Sequence, residues 1–196
     1  MLTRTLLILA IFGFIAIPAF SQQADIDAFN ARKDQIGKRS MFALGGWAVG
    51  NFAVSGALLT QTSGADFHFH EMNVYWNVVN AGLAGVGLLG LRKGSAGKSW
   101  QQTVDGHYGT EKIYLLNAGL DVGYIMSGLF LKELANRMPD QRDRFTGWGY
   151  SMMVQGGFLL VLDAVMYAIY RGHYKKNLSP ILNNLEVSPM GMRLRF

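Results

Sequence analysis

Ionisable residues vanish from four stretches of this chain and crowd into the segments between them. Residues 40–60 and 72–91 carry none, residues 113–131 carry only Asp121, and residues 148–170 carry only Asp163. Each stretch runs 19 to 23 residues, the length at which an α-helix crosses the ~30 Å hydrocarbon core of a bilayer. A soluble helical bundle needs a polar stripe along every helix; here the faces are apolar or small nearly all round. Trp47, Tyr75, Trp76, Tyr114, Trp148, Tyr167 and Tyr170 lie mostly near the ends of the stretches, where ring side chains settle at a membrane–water interface. The pattern predicts transmembrane helices over residues 40–60, 72–91, 113–134 and 148–170. It leaves residues 61–71, 92–112 and 136–147 as connections, the last broken by Pro139. Short links make consecutive helices antiparallel neighbours.

The second and fourth stretches open alike. Tyr75 to Leu83 reads YWNVVNAGL and Tyr150 to Phe158 reads YSMMVQGGF, pairing Tyr75 with Tyr150, Val79 with Val154, Asn80 with Gln155 and Gly82 with Gly157. Upstream, Gly46-Trp47-Ala48-Val49-Gly50 echoes Gly119-Leu120-Asp121-Val122-Gly123 at nearly the same offset. The expected architecture is therefore all-α: a four-helix transmembrane bundle built as a two-fold tandem repeat of helix pairs. Gly46 with Gly50, Gly119 with Gly123, and Ala81 with Gly85 stand at small-x-x-x-small spacing, and Gly82 recurs in the repeat. Such faces let helix backbones approach closely in lipid, so these glycines are expected to be helix-packing positions.

Both ends of the chain differ from the middle. Arg4, the apolar run of residues 6–17, the helix breaker Pro18 and the small residues Ala19 and Ser21 match a secretory signal peptide over residues 1–21, cut before Gln22. Residues 22–39 are polar and mixed in charge, with Ile26, Phe29 and Ile36 at helical spacing, and are expected to form a short amphipathic helix on the membrane surface. The basic tail, residues 171–196, ends in a period-two alternation of Met190, Met192, Leu194 and Phe196, so an irregular or strand-like tail is expected. It looks like the closing strand of an outer-membrane barrel, but nothing else in the chain supplies the ~10-residue alternating segments that a barrel needs.

Charge adds a conflict. The chain carries 18 Lys and Arg against 13 Asp and Glu. If the face holding Gln22 is side B and the opposite face side A, side B takes 13 of the cations after Arg4 and side A takes four, Lys132, Arg137, Arg142 and Arg144. Positive-inside bias makes side B cytoplasmic; a cleaved signal peptide makes it external. The signal peptide is retained here, which places the protein in a bacterial cell envelope, in the inner membrane, with its mature N-terminus outside the cytoplasm. The basic segments flank the membrane, so anionic lipid rather than nucleic acid is their natural partner.

Asp121 and Asp163 are the sharpest chemical candidates. An ionisable group inside a bilayer costs ~2.5–3.5 kcal/mol on insertion scales and turns to the bundle interior. Counted from side B, both lie roughly 10–12 Å deep at 1.5 Å per residue, so they can meet. Two carboxylates sharing a site cannot both ionise easily; such a pair relays protons, binds a cation, or only glues helices. The modest worth of polar contacts in lipid favours gluing. Asn73, Asn77 and Asn80 fall at i, i+4 and i+7, and Asn117, Asp121 and Tyr124 repeat that spacing. With Asn51 and Gln155 they form a candidate interior polar seam, whose preferred use is locking the bundle. His68, His70 and Glu71 make an H-x-H-E run in the first loop, a weak divalent-metal candidate. His107 and His173 lie on side B, and the absence of a mid-helix histidine argues against haem ligation. There is no cysteine, no phosphate loop, and no motif that names a cofactor or a catalytic group.

Phe29-Asn30-Ala31-Arg32-Lys33 leading into Gly45-Gly46-Trp47, the Trp76–Leu83 segment and the basic ending Leu194-Arg195-Phe196 resemble a family of small signal-peptide-bearing four-helix membrane proteins of unknown function from Bacteroidota-type bacteria. The resemblance covers most of the mature chain and implies no activity. Three functions are expected in order: a structural or interaction component of the envelope, as a homo-oligomer or with a membrane-protein partner; a small proton- or ion-coupled transporter using Asp121 and Asp163; and a metal-dependent membrane enzyme.

Overall fold

The computed structural model describes residues 2–180, 185–188 and 191–194, with side-chain surroundings for residues 23–180. Four long helices dominate: α1 (Leu2–Leu58), α2 (Gly64–Arg92), α3 (Trp100–Arg137) and α4 (Arg142–Asn177), with a 3-10 turn over Pro139–Gln141. Strands β1 (Leu185–Ser188) and β2 (Gly191–Leu194) pair antiparallel, Leu185 opposite Leu194. All four helices are long and apolar enough to cross a membrane.

The helices overrun the expected bounds. α3 has 38 residues and rises about 57 Å, nearly twice the ~30 Å hydrocarbon thickness. Residues 100–112, expected as part of a loop, are its first turns. Ser99 caps them: its hydroxyl accepts from the Gln102 amide while the Gln102 side chain takes the Ser99 N–H, the reciprocal arrangement that satisfies two orphan donors. The α2–α3 connection therefore shrinks to residues 93–99. Gly94 and Gly97 turn it with positive φ of 66° and 74°, a conformation that a Cβ disfavours, and the Gly97 amide donates to Asp27 on α1 (2.9 Å).

The N-terminal expectations change likewise. α1 runs without interruption from Leu2, so Pro18 does not end a helix; its missing N–H removes one bond of the ladder and the rest continue. The residue 22–39 segment is not a separate surface helix but the upper part of α1. Its buried stripe, Ile26, Phe29, Asn30, Lys33, Asp34, Ile36 and Gly37, packs onto α3 and α4 rather than onto lipid headgroups. Asn30 donates to Thr103 (2.8 Å), Ser95 to Asp34 (2.8 Å), and Phe29 stacks on His173 with ring centroids 4.3 Å apart.

α3 and α4 form one tight antiparallel hairpin and α1 and α2 another, and the two meet chiefly through α2 and α4. Among the described residues the α2 and α3 backbones stand apart. The close approaches rest on other glycines than those expected. A Cβ at Gly128 would lie 2.6 Å from the Gly149 carbonyl oxygen, and one at Gly149 would lie 2.7 Å from that of Gly128. A Cβ at Gly156 would lie 3.0 Å from the Asp121 carbonyl oxygen, and one at Gly147 would run into the α2 backbone at Ala65 and Phe69. Gly46, Gly50, Gly82, Gly85, Gly119 and Gly123 are all exposed, and a Cβ on any of them would meet nothing within 4 Å among the described residues. They face outward and hold nothing among the described residues. Small-residue spacing marks a smooth face without saying what lies against it.

Candidate functional site

The gap between α2 and α3 is the mouth of a cleft of about 540 Å³ that all four helices line, within the range of ordinary ligand pockets. Its polar and apolar walls are sorted. Ser40, Asn80, Tyr114, Asp121, Asp163 and Tyr170 are buried. Val79 and Leu83 of α2 and Ile113 and Leu120 of α3 are about half exposed or more, at 60%, 58%, 59% and 49%. The cleft thus opens sideways through an apolar lip onto a polar floor.

Asp121 and Asp163 meet on that floor, with Asn117 beside them. Two carboxyl groups so placed can hydrogen-bond to each other only by holding one proton between them, because two carboxylates have only acceptors to offer. One carboxyl oxygen of Asp121 is buried with no hydrogen-bond partner among the described residues. Gly156 makes the pair possible by letting α4 lie directly on the α3 backbone at Asp121. Around the floor, Tyr114 donates to Ser40 (3.1 Å) and stacks on Tyr170, whose hydroxyl reaches the Lys33 carbonyl (3.4 Å). Toward side A, Trp76 meets Tyr124 edge-on across the gap, centroids 4.8 Å apart.

The expected polar seam divides in two. Its side A half is a lock. Asn73 accepts from Ser151 (2.7 Å) and Gln155 (2.8 Å), while Gln155 accepts from Trp47 (2.8 Å). One amide pair thereby ties α1, α2 and α4, and Gln155 belongs to this lock rather than to the cleft. Asn77 donates to its own helix at Asn73 (2.7 Å), and Asn80 reaches Asn77 only at 3.5 Å, so Asn80 retains hydrogen-bonding capacity where it lines the cleft. Asn51 leaves the seam: it is half-buried and donates back to the Trp47 carbonyl (3.0 Å).

His68, His70 and Glu71 are not in a loop but on the first turns of α2, and they do not converge. His68 bonds Glu71 (2.9 Å), which also accepts from Trp148 (3.0 Å), while His70 turns to Ser55 on α1 (3.2 Å). Residues two apart on a helix point to different faces, which is why the run divides. Among the described residues no group of three or more His, Cys, Asp or Glu could hold a metal ion.

The residues set aside at first form a second polar cluster at the side B ends of α1, α3 and α4. His107 is fully buried, bonded through Nε2 to Glu111 (3.1 Å) and stacked on Tyr174. His173 donates to the Phe29 carbonyl (3.1 Å). On α3, His107, Glu111, Tyr114 and Asp121 form one buried stripe. That i, i+4, i+7 spacing was present in the sequence, hidden by treating residues 92–112 as a loop.

Residues 43–164 match the family of unknown function DUF6992. The chain belongs to that family. The DUF6992 match spans most of all four membrane-length segments and includes Asp121, Asp163 and the Asn73–Gln155 lock, while the His107–His173 cluster lies partly beyond it. No curated protein and no solved structure matches the chain.

Proposed function

We propose that this protein is an integral membrane protein of the bacterial envelope that takes an amphipathic cation from the lipid phase in exchange for a proton, the chemistry of a small proton-coupled carrier. The carrying observation is the adjacency of Asp121 and Asp163 on the buried floor of a cleft whose lip is apolar. Loss of the shared proton leaves net negative charge in a low-dielectric cavity, which a monovalent cation neutralises at far lower cost than water does. Asn80 and Asn117 supply neutral hydrogen-bonding groups beside it.

The test uses the protein in lipid nanodiscs with tetraphenylphosphonium as probe and a pH indicator in weak buffer. Saturable binding should release about one proton per cation and tighten as pH rises. Asp163→Asn and Asp121→Asn should each lose the proton release. Binding that is indifferent to both substitutions, or absent at every pH, sinks the reading. Envelope placement with an external N-terminus rests on residues 1–21; N-terminal sequencing of the membrane-inserted protein and tag accessibility in spheroplasts test it, and a retained Met1 with an internal C-terminus would reverse it.

A second reading is favoured by the outward glycines. Gly46, Gly50, Gly119 and Gly123 offer smooth exposed faces that suit a homo-oligomer or a membrane-protein partner of a structural component. Gly50→Leu and Gly123→Leu should then abolish crosslinked oligomers, and a parent protein that is monomeric in nanodiscs counts against it. The tandem repeat is part of the same proposal: contact of α2 with α4, the corresponding helices of the two hairpins, supports a pseudo-two-fold axis between them.

A further inference from the structure

A second cavity, of about 680 Å³, lies between the side B halves of α1 and α4, on a different face of α1 from the cleft. Arg32 and Arg39 of α1 and Lys176 of α4 line it, and all three are exposed. Arg39 immediately precedes Ser40, where the uncharged run of α1 begins, and Lys176 lies six residues beyond Tyr170, where that of α4 ends. On α4 the wall inward of Lys176 is Ile169 and Met166, and on α1 Ile36 lies between Arg32 and Arg39. The cavity therefore straddles the boundary where the uncharged runs of α1 and α4 begin, with cations and apolar side chains together on its wall.

The cations are not spent on one another's neighbours. Among the described residues the ion pairs are His68–Glu71, His107–Glu111 and Arg137–Glu133, so no carboxylate lies within bonding distance of the three. Arg32 donates to neutral Gln35 (3.2 Å). Asp25, at the outer end, is the one carboxylate in the lining, against three fixed positive charges. The back wall is rigid: His173 is stacked on Phe29, donates to its carbonyl, and meets the Asn177 side chain through its other ring nitrogen (2.9 Å).

We propose that this cavity binds the headgroup of an anionic phospholipid, the phosphate held by Arg32, Arg39 and Lys176 and an acyl chain lying along Ile169 and Met166. Charge complementarity selects an anion, and guanidinium groups match phosphate oxygens in geometry as well as charge. Ile169 and Met166 on α4 select a lipid over a free anion, since they have nothing to bury against inorganic phosphate. The site also gives the excess of cations on side B a use that does not depend on which compartment side B faces. It stands apart from the cleft and does not depend on the reading of Asp121 and Asp163.

The test is titration of the full chain in a mild non-ionic detergent, with binding followed by native mass spectrometry. Short-chain phosphatidylglycerol, short-chain phosphatidylcholine and inorganic phosphate are compared. Phosphatidylglycerol should bind saturably at about one per chain and at least tenfold more tightly than the other two. Arg32→Gln/Arg39→Gln/Lys176→Gln should cost tenfold or more, Arg39→Gln alone a smaller part, and Arg92→Gln/Lys93→Gln, exposed on the same side, nothing. All these positions are exposed, and circular dichroism checks that the variants remain helical. Equal binding of phosphatidylcholine, full competition by inorganic phosphate, or equal losses in the Arg92/Lys93 control would each overturn the proposal.

Discussion

Gly128→Ala should loosen the α3–α4 hairpin, whereas Gly123→Ala, five residues earlier on the same helix, should not. The added methyl at Gly128 would lie 2.6 Å from the Gly149 carbonyl oxygen, about 0.8 Å short of ordinary contact at 3.4 Å. A backbone carbonyl inside a helix cannot swing away, so the helices must part. A gap of 0.5–1 Å forfeits a quarter to a half of each dispersion contact it opens, and overpacking of well-fitted interiors costs ~1–3 kcal/mol. The expected loss is about 2 kcal/mol, roughly thirtyfold in the unfolding equilibrium. At Gly123 the methyl meets open space among the described residues, so the change should be within ~0.5 kcal/mol. The assay is loss of helicity on titrating dodecyl sulfate into maltoside micelles, with parent, Gly128→Ala, Gly149→Ala and Gly123→Ala side by side. Parent-like stability of Gly128→Ala, or an equal fall in Gly123→Ala, would refute the assignment of the crossing point.

Asn73→Ala removes the acceptor shared by Ser151 and Gln155 and strands a buried amide, so the same assay should show a loss of about 1–2 kcal/mol; Asn51→Ala, which bonds only its own helix, should lose under ~0.5 kcal/mol. Because His68 and His70 face different partners, protein equilibrated with zinc and dialysed should retain well under one equivalent by elemental analysis. One zinc per chain, lost in His68→Ala, would show that the helix start rearranges around a metal.

The four membrane segments were legible because a single charge is conspicuous in a run of twenty apolar residues, and for the same reason Asp121 and Asp163 stood out. Their meeting also followed from rise per residue, since depth is a length count. Helix ends were not legible in that way. Residues 100–112 hold Gln, Asp, His and Lys, which suit a helix as well as a loop once outside hydrocarbon. What makes them helical is partly tertiary, the Asn30–Thr103 bond and the burial of His107, and partly local, the Ser99–Gln102 cap, whose S-x-x-Q spacing stood in the sequence. The packing glycines were misassigned for a related reason. Gly128 and Gly149 matter because each faces the other's backbone, and that coincidence belongs to the pairing of two helices and to neither helix alone. Gly149 and Gly156, one heptad apart on the face that meets α3, were the signal available.

The cleft has a hinge side and a latch side, and they differ in kind. Toward side B, α1 is bolted to its neighbours by Asn30–Thr103, Ser40–Tyr114 and the stacked Phe29 and His173, and toward side A α2 is bolted to α4 through Asn73. Across the mouth, the α2 and α3 backbones stand apart and the Trp76–Tyr124 edge contact bridges them. A ring pair of that geometry is worth ~0.5–1.5 kcal/mol, only one to three times thermal energy. The way in is therefore a side door rather than a front one. On the proposed carrier reading, a solute would reach Asp121 and Asp163 by first dissolving in the bilayer, and its partition into lipid, not its concentration in water, would set how often it arrives.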